Sequence, residues 1–201
     1  GEIVGISFAC DGFEGYFPFA HESGFNFPKN KVISFAKKVC ASNSDKIFHN
    51  ASYDMGWLGS EGIKVNGRII DTMVVAPLID ENQYWYTLNA LGREYVNEGK
   101  TEAELNAAAE EWGLDPKAEM WRLPSAYVGT YATQDAALTL KLWNHFKTLI
   151  EEQNLWNIFD LEMEVLPVLY EMKKKGVRVD TERAETIKKQ LVKQEKELLL
   201  E

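Results

Sequence analysis

Residues 3–9 form an apolar run containing β-branched side chains, Asp11-Gly12 interrupts it, and Tyr16-Phe17-Pro18-Phe19 resumes it. Two such runs around a short Gly-containing turn predict a hairpin of two strands. From 28 to 41 the period changes. Val32, Phe35, Ala36, Val39 and Cys40 recur at helical spacing, with Lys29, Lys31, Lys37 and Lys38 mostly on the other side. Residues 46–48 read as a short strand, 51–58 as a helix and Ile69-Ile70 as another short strand. Asp71 stands where it can cap a helix over 72–79. The order β-β-α-β-α-β-α predicts an α/β layer fold with helices packed on a mixed sheet.

Beyond Asp80 the pattern is helical, over 88–96, 102–112, 126–152 and 156–175. Asp180 is placed to cap a last, highly charged helix running to Glu201, whose narrow apolar stripe carries Ile187, Leu191 and Leu198. A stripe that narrow calls for a partner supplied from elsewhere.

Charge narrows the functional classes less than the pattern does. A formal charge of −9 argues against a surface that grips duplex DNA through many phosphates at once. It leaves open a metal-loaded acidic cleft that takes one strand end, because bound cations reverse the local field. No apolar run approaches the roughly 20 residues that span a bilayer, and no signal-peptide pattern opens the chain. The start at Gly1, without Met and directly in strand-like sequence, reads as a fragment. Cys10 and Cys40 lack metal-ligand spacing; each is expected as a buried free thiol, which fits a reducing cytosol.

Hydrolysis of a phosphodiester by two divalent ions needs carboxylates converging on a gap of roughly 4 Å between the metals. Hard cations such as Mg²⁺ select oxygen ligands, which makes Asp and Glu the side chains to follow. The first candidate is Asn50-x-x-x-Asp54, at the C-terminal end of the strand that holds Ile47-Phe48. Ligand sites in open α/β sheets lie at such strand ends. The plainer alternative makes Asn50 a helix cap and Asp54 a solvated first-turn acid. The second candidate is Tyr131-x-x-x-Asp135, four residues apart and therefore on one helical face. That face is otherwise apolar, with Val128, Ala132, Leu138, Leu142 and Phe146 near in projection. A carboxylate aimed at an apolar interior is costly unless paired or metal-bound. The alternative leaves Tyr131 as a core aromatic and Asp135 as a surface acid.

Taken in order, Asn50-x-x-x-Asp54 and Tyr131-x-x-x-Asp135 resemble motifs II and III of the DEDDy exonucleases. Ile70-Asp71-Thr72, Leu88-Asn89-Ala90-Leu91 and Glu119-Met120-Trp121-Arg122-Leu123-Pro124 resemble the exonuclease domains of family A DNA polymerases, the last in a phage-like manner. The resemblance implies an RNase H-like fold with a mixed sheet flanked by helices, and proofreading removal of 3′-terminal deoxynucleotides. It implies two Mg²⁺ or Mn²⁺ ions in the complete domain, with Asp54 and Asp135 as metal ligands and Tyr131 orienting the attacking water. Asn50 would support the strand end or the terminal nucleotide, and Asp71 would remain a structural cap. The implied partners are a single-stranded DNA 3′ end and the polymerase domain of the same protein, in the cytoplasm of a bacterium or a phage-infected host.

Two departures qualify the resemblance. Motif I, Asp-x-Glu on the family's first strand, has no counterpart, because residues 3–9 match the second strand and contain no acid. Asp160-Leu161-Glu162 is a decoy: residues two apart share a face on a strand but diverge by about 200° on a helix. The chain is therefore expected to be truncated at both ends. Residues 1–153 are read as the exonuclease domain and 154–201 as a helical connector leading to a polymerase region, Gly176-Val177-Arg178-Val179-Asp180 included. Alone, it is expected to bind metal weakly or at one site and to be a poor or inactive nuclease. An RNA-trimming exonuclease similar to RNase D and a scaffold that only braces a polymerase are the competing readings. Trp57, Tyr84, Trp85 and Tyr86 are weak candidates for stacking on a frayed strand.

Overall fold

The fold is taken from a computed structural model, which describes residues 2–100 and 102–199. It divides into two compact units, Gly1–Tyr170 and Glu171–Glu201.

The first unit opens on a hairpin, β1 (Gly5–Cys10) and β2 (Phe13–Pro18), in antiparallel register with Cys10 opposite Phe13. The two-residue connection Asp11-Gly12 places Gly12 at φ +78°, a left-handed conformation that glycine adopts without Cβ strain. Helix α1 (Lys29–Ala41) buries Val32, Ala36 and Cys40, and the exposed rim residue Phe35 meets the rings of Phe8 and Phe17. A second, parallel pair follows: β3 (Lys46–Phe48) beside β4 (Ile69–Asp71), with α2 (Ala51–Ser60) between them in sequence. Helices α3 (Thr72–Ile79), α4 (Leu88–Val96) and α5 (Ala103–Trp112) come next, then α6 (Ser125–Glu152) and α7 (Trp156–Lys175).

Helix α6 organises this unit. Val128, Leu138, Leu142, Trp143, Phe146 and Ile150 form its buried stripe, and it packs along β1, β2, β3, α3, α4 and α5. The main core gathers Ile70, Val75, Leu91, Leu138, Leu142, Phe146 and Phe159. Gly92 lets α4 approach α6 closely: a Cβ there would sit 2.5 Å from the Glu98 carbonyl oxygen and 2.8 Å from Leu138.

The expected α/β architecture is present, but the strands form two separate pairs, β1–β2 and β3–β4. Among the described residues, each of the four strands therefore has one edge without a strand partner. Cys40 is buried as expected; Cys10, expected buried, is exposed, because it ends β1 at the tip of the hairpin. Asp160 lies on α7 and pairs with Arg68, whose guanidinium also covers the Phe159 ring, so the decoy has a structural employment.

The second unit consists of the end of α7, a turn through Gly176 at φ +69°, and α8 (Thr181–Leu198). Asp180 caps α8 by accepting from the Arg183 N–H. Ile187, Leu191 and Leu198 are exposed, and no residue of α8 is buried. The last two positions of the expected helix, 200 and 201, lie outside the described residues.

Candidate active site

The site is built where β3 and β4 end. Buried Asp71 closes β4, and its carboxylate accepts from three backbone N–H groups: Asn50 at 2.9 Å, Ala51 at 2.7 Å and Met73 at 3.0 Å. One side chain thereby satisfies donors at the starts of both α2 and α3, which would otherwise be left unpaired. Asn50 occupies the N-cap position of α2 at φ +72°, and its own amide makes no capping bond. The capping that the plainer reading gave to Asn50 is therefore done by Asp71, and the exposed Asn50 side chain is left at the mouth of the strand end.

Asp54 follows one turn into α2 and is half-buried. Burial, then the charges of Asp71 and Asp135, push its carboxyl up from 3.8 to about 7. Asp135 approaches from α6, so the two acids singled out in the sequence, on separate helices, are close enough to feel each other's charge. Tyr131 lies one turn earlier on α6, and burial followed by the Asp135 charge holds its phenol above the ordinary range. It stays protonated at neutral pH.

Lys100, from the segment after α4, was not anticipated. Its Nζ donates to Asp135 Oδ2 at 2.6 Å and to the Tyr131 hydroxyl at 3.1 Å. Burial works against the Lys100 cation, but the hydrogen bond and charge of Asp135 outweigh it and raise its pKa. Burial also raises the Asp135 carboxyl, against the lowering effect of Lys100 and Tyr131. The short contact marks a charged pair. The other carboxylate oxygen, Oδ1 of Asp135, is buried with no hydrogen-bond partner. Nothing in the periodicity around residue 100 announces a site lysine, since a loop residue acquires its neighbours only through the packing of α4 on α6.

His49 completes the surroundings. Its Nδ1 lies 2.9 Å from the Thr72 hydroxyl, which itself donates to the Phe48 carbonyl at 3.1 Å. Nε2 is buried without a hydrogen-bond partner. Burial holds the ring below the ordinary histidine range, and it is neutral.

Among the described residues no three His, Cys, Asp or Glu side chains gather closely enough to hold a metal ion. Asp54 and Asp135 nevertheless suit part of such a set. They are oxygen donors, one lifted first by burial and then by two negative neighbours, the other with an orphaned oxygen, and a hard cation relieves both conditions. Of the aromatic candidates, Tyr84 and Trp85 are strongly exposed on the loop before α4, at 94% and 71%. Trp57 and Tyr86 are half-buried, and Tyr86 spends its hydroxyl on the Asp80 carbonyl.

Among the described residues no helix is long and apolar enough to cross a membrane. The family described as 3′-5′ exonuclease matches residues 5–151. The chain is 36% identical to a DNA-directed DNA polymerase of Pseudomonas phage M6, over 98% of this chain and 30% of that protein. It is 31% identical to DNA polymerase DpoZ of Vibrio phage phiVC8, over 92% of this chain and 31% of that protein. The chain thus spans about 30% of the length of these relatives. The POL domain of Pol1 from M. smegmatis, in complex with DNA primer-template and dNTP, shares the fold with a TM-score of 0.66. That likeness carries 19% identity and covers 93% of this chain and 28% of that one. With the fold and the match over 5–151 together, the chain belongs to the 3′-5′ exonuclease domains of the family A DNA polymerases.

Proposed function

We propose that this chain supplies the proofreading site of a replicative DNA polymerase, hydrolysing 3′-terminal deoxynucleotides from a single-stranded DNA end. The carrying observation is that Asp54 on α2 feels the charge of Asp135 on α6, while Lys100 bridges Asp135 to the Tyr131 hydroxyl and one Asp135 oxygen is buried and unpaired. In this reading residues 1–153 are the exonuclease domain and 154–201 lead to the polymerase region, in a bacterial or phage-infected cytoplasm.

Asp54 and Asp135 would hold divalent cations, Mg²⁺ or Mn²⁺, together with carboxylates of an Asp-x-Glu strand. Those ions, when bound, supply the charge that activates water and neutralises the leaving oxygen. Tyr131 keeps its proton and orients the attacking water. The water gives up a proton to solvent as its oxygen bonds to phosphorus, the bond from phosphorus to the 3′ oxygen breaks, and that oxygen takes a proton from solvent. The product is a nucleoside monophosphate. Asn50, exposed at the end of β3, touches the terminal nucleotide. Each of the four strands has one unpaired edge, and in this reading the Asp-x-Glu strand pairs between β1 and β3, both pairs already lying along α6.

In the polymerase containing this domain, Mn²⁺-dependent shortening of a 3′-labelled single-stranded oligonucleotide is expected to vanish with Asp135→Ala. With Tyr131→Phe it should fall by about 10²-fold. Equal rates in all three proteins would refute the assignment, and a preference for RNA over DNA would redirect it to an RNA-trimming enzyme.

A further inference from the structure

Resting on that reading of Asp135, we propose that Lys100 is an internal counter-cation that competes with divalent metal for the Asp135 carboxylate. Its ammonium lies 2.6 Å from Oδ2, 3.1 Å from the Tyr131 hydroxyl and 4.9 Å from the centre of the Tyr131 ring. The side chains of Lys100 and Asp135 are only 15% and 25% exposed.

The lysine is held in place by its backbone. Its N–H donates to Asn89 Oδ1 at 2.9 Å, and the neighbouring Gly99 carbonyl accepts from Gln134 Nε2 at 3.0 Å. Residues 99 and 100 are thus tied to α4 on one side and α6 on the other. Gly99 is also closely enclosed, since a Cβ there would lie 2.7 Å from Arg93 Nε.

A metal on Oδ2 would take the position of the ammonium. A metal on the orphaned Oδ1 would sit a few ångströms from it, where like charges in a partly desolvated setting repel strongly. Either way, metal capture requires the Lys100 head to leave Asp135. Its four-carbon stem allows the head to swing out while the backbone stays anchored. The consequence is a site whose metal affinity is set below what its carboxylates alone would give.

The test titrates Mn²⁺ into the 201-residue chain, reading free Mn²⁺ by electron paramagnetic resonance. Lys100→Met, which keeps length and removes charge, is expected to bind about tenfold more tightly. Lys100→Arg should stay near the starting affinity. In the unaltered chain, acetylation of Lys100 by an N-hydroxysuccinimide ester, followed by mass spectrometry, should rise as Mn²⁺ is added. Unchanged affinity in Lys100→Met, or acetylation indifferent to Mn²⁺, overturns the proposal. If Lys100→Met does not fold, the acetylation of the unaltered chain decides alone. Asp135→Ala separates the two levels of the argument. Mn²⁺ binding that survives it removes Asp135 as a ligand and the functional reading with it. Binding lost in Asp135→Ala but not gained in Lys100→Met removes only the role of Lys100.

Discussion

Asp54 reports its surroundings through its proton. Its folded-state value of about 7 lies above the ordinary 3.8, because burial and the negative charges of Asp71 and Asp135 disfavour the carboxylate. Across that window the folded chain binds more protons than the unfolded chain, so stability falls as pH rises from the ordinary value to the folded one. Asp54→Asn removes the penalty. In EDTA it should stabilise the chain by about 1–3 kcal/mol near pH 8, a figure reduced for solvent screening, and by little near pH 4. Thermal melts at both pH values check this, and a gain of equal size at each would remove the electrostatic explanation. Asp71, at the end of β4, has the opposite employment. Three backbone donors fill its carboxylate, which is why it belongs to the scaffold although it lies beside the acids of the site.

At the scale of elements, that same carboxylate couples β4 to the first turns of α2 and α3. Asp71→Ala strands backbone N–H groups at two helix starts, that of Ala51 buried, and should cost about 2–3 kcal/mol, measured by urea unfolding. Asp71→Asn, which keeps one acceptor oxygen, should cost less. Equal losses in the two variants would mean that packing around Asp71, not its hydrogen bonds, holds the helices. Most of these elements were readable in the sequence because their apolar residues repeat with the period of the structure they form. Val128, Leu138, Leu142 and Phe146 mark the buried stripe of α6, and Asp71 and Asp180 cap the helices they were expected to cap. Asp54 and Asp135 were readable as candidates through spacing and resemblance. Lys100 was not, because its contacts arise from tertiary packing, with Asp135 lying 35 positions further along the chain. Cys10 was misjudged because an apolar run says nothing about whether the end of a hairpin is covered.

At the scale of the molecule, the arrangement of strands matters most. Local pattern identifies strands, but pairing is non-local, and the separation of β1–β2 from β3–β4 was not visible in it. Helix α6 runs along both pairs and carries Tyr131 and Asp135, so the site sits where the two pairs come to one helix. Unpaired edges are a liability in a lone chain, and an added strand would satisfy them. In the proposed reading Asp54 and Asp135 are two of the carboxylates that a two-metal centre needs, and an added Asp-x-Glu strand would bring the rest. The central claim is that these residues are the downstream half of an exonuclease centre completed by such a strand. The direct test is Mn²⁺-dependent digestion of a 3′-labelled single-stranded DNA by the 201-residue chain and by a form extended upstream through an Asp-x-Glu strand. The account predicts stepwise shortening by the extended form alone, abolished by Asp135→Ala. Efficient digestion by the 201-residue chain, or none by a folded extended form, would contradict it.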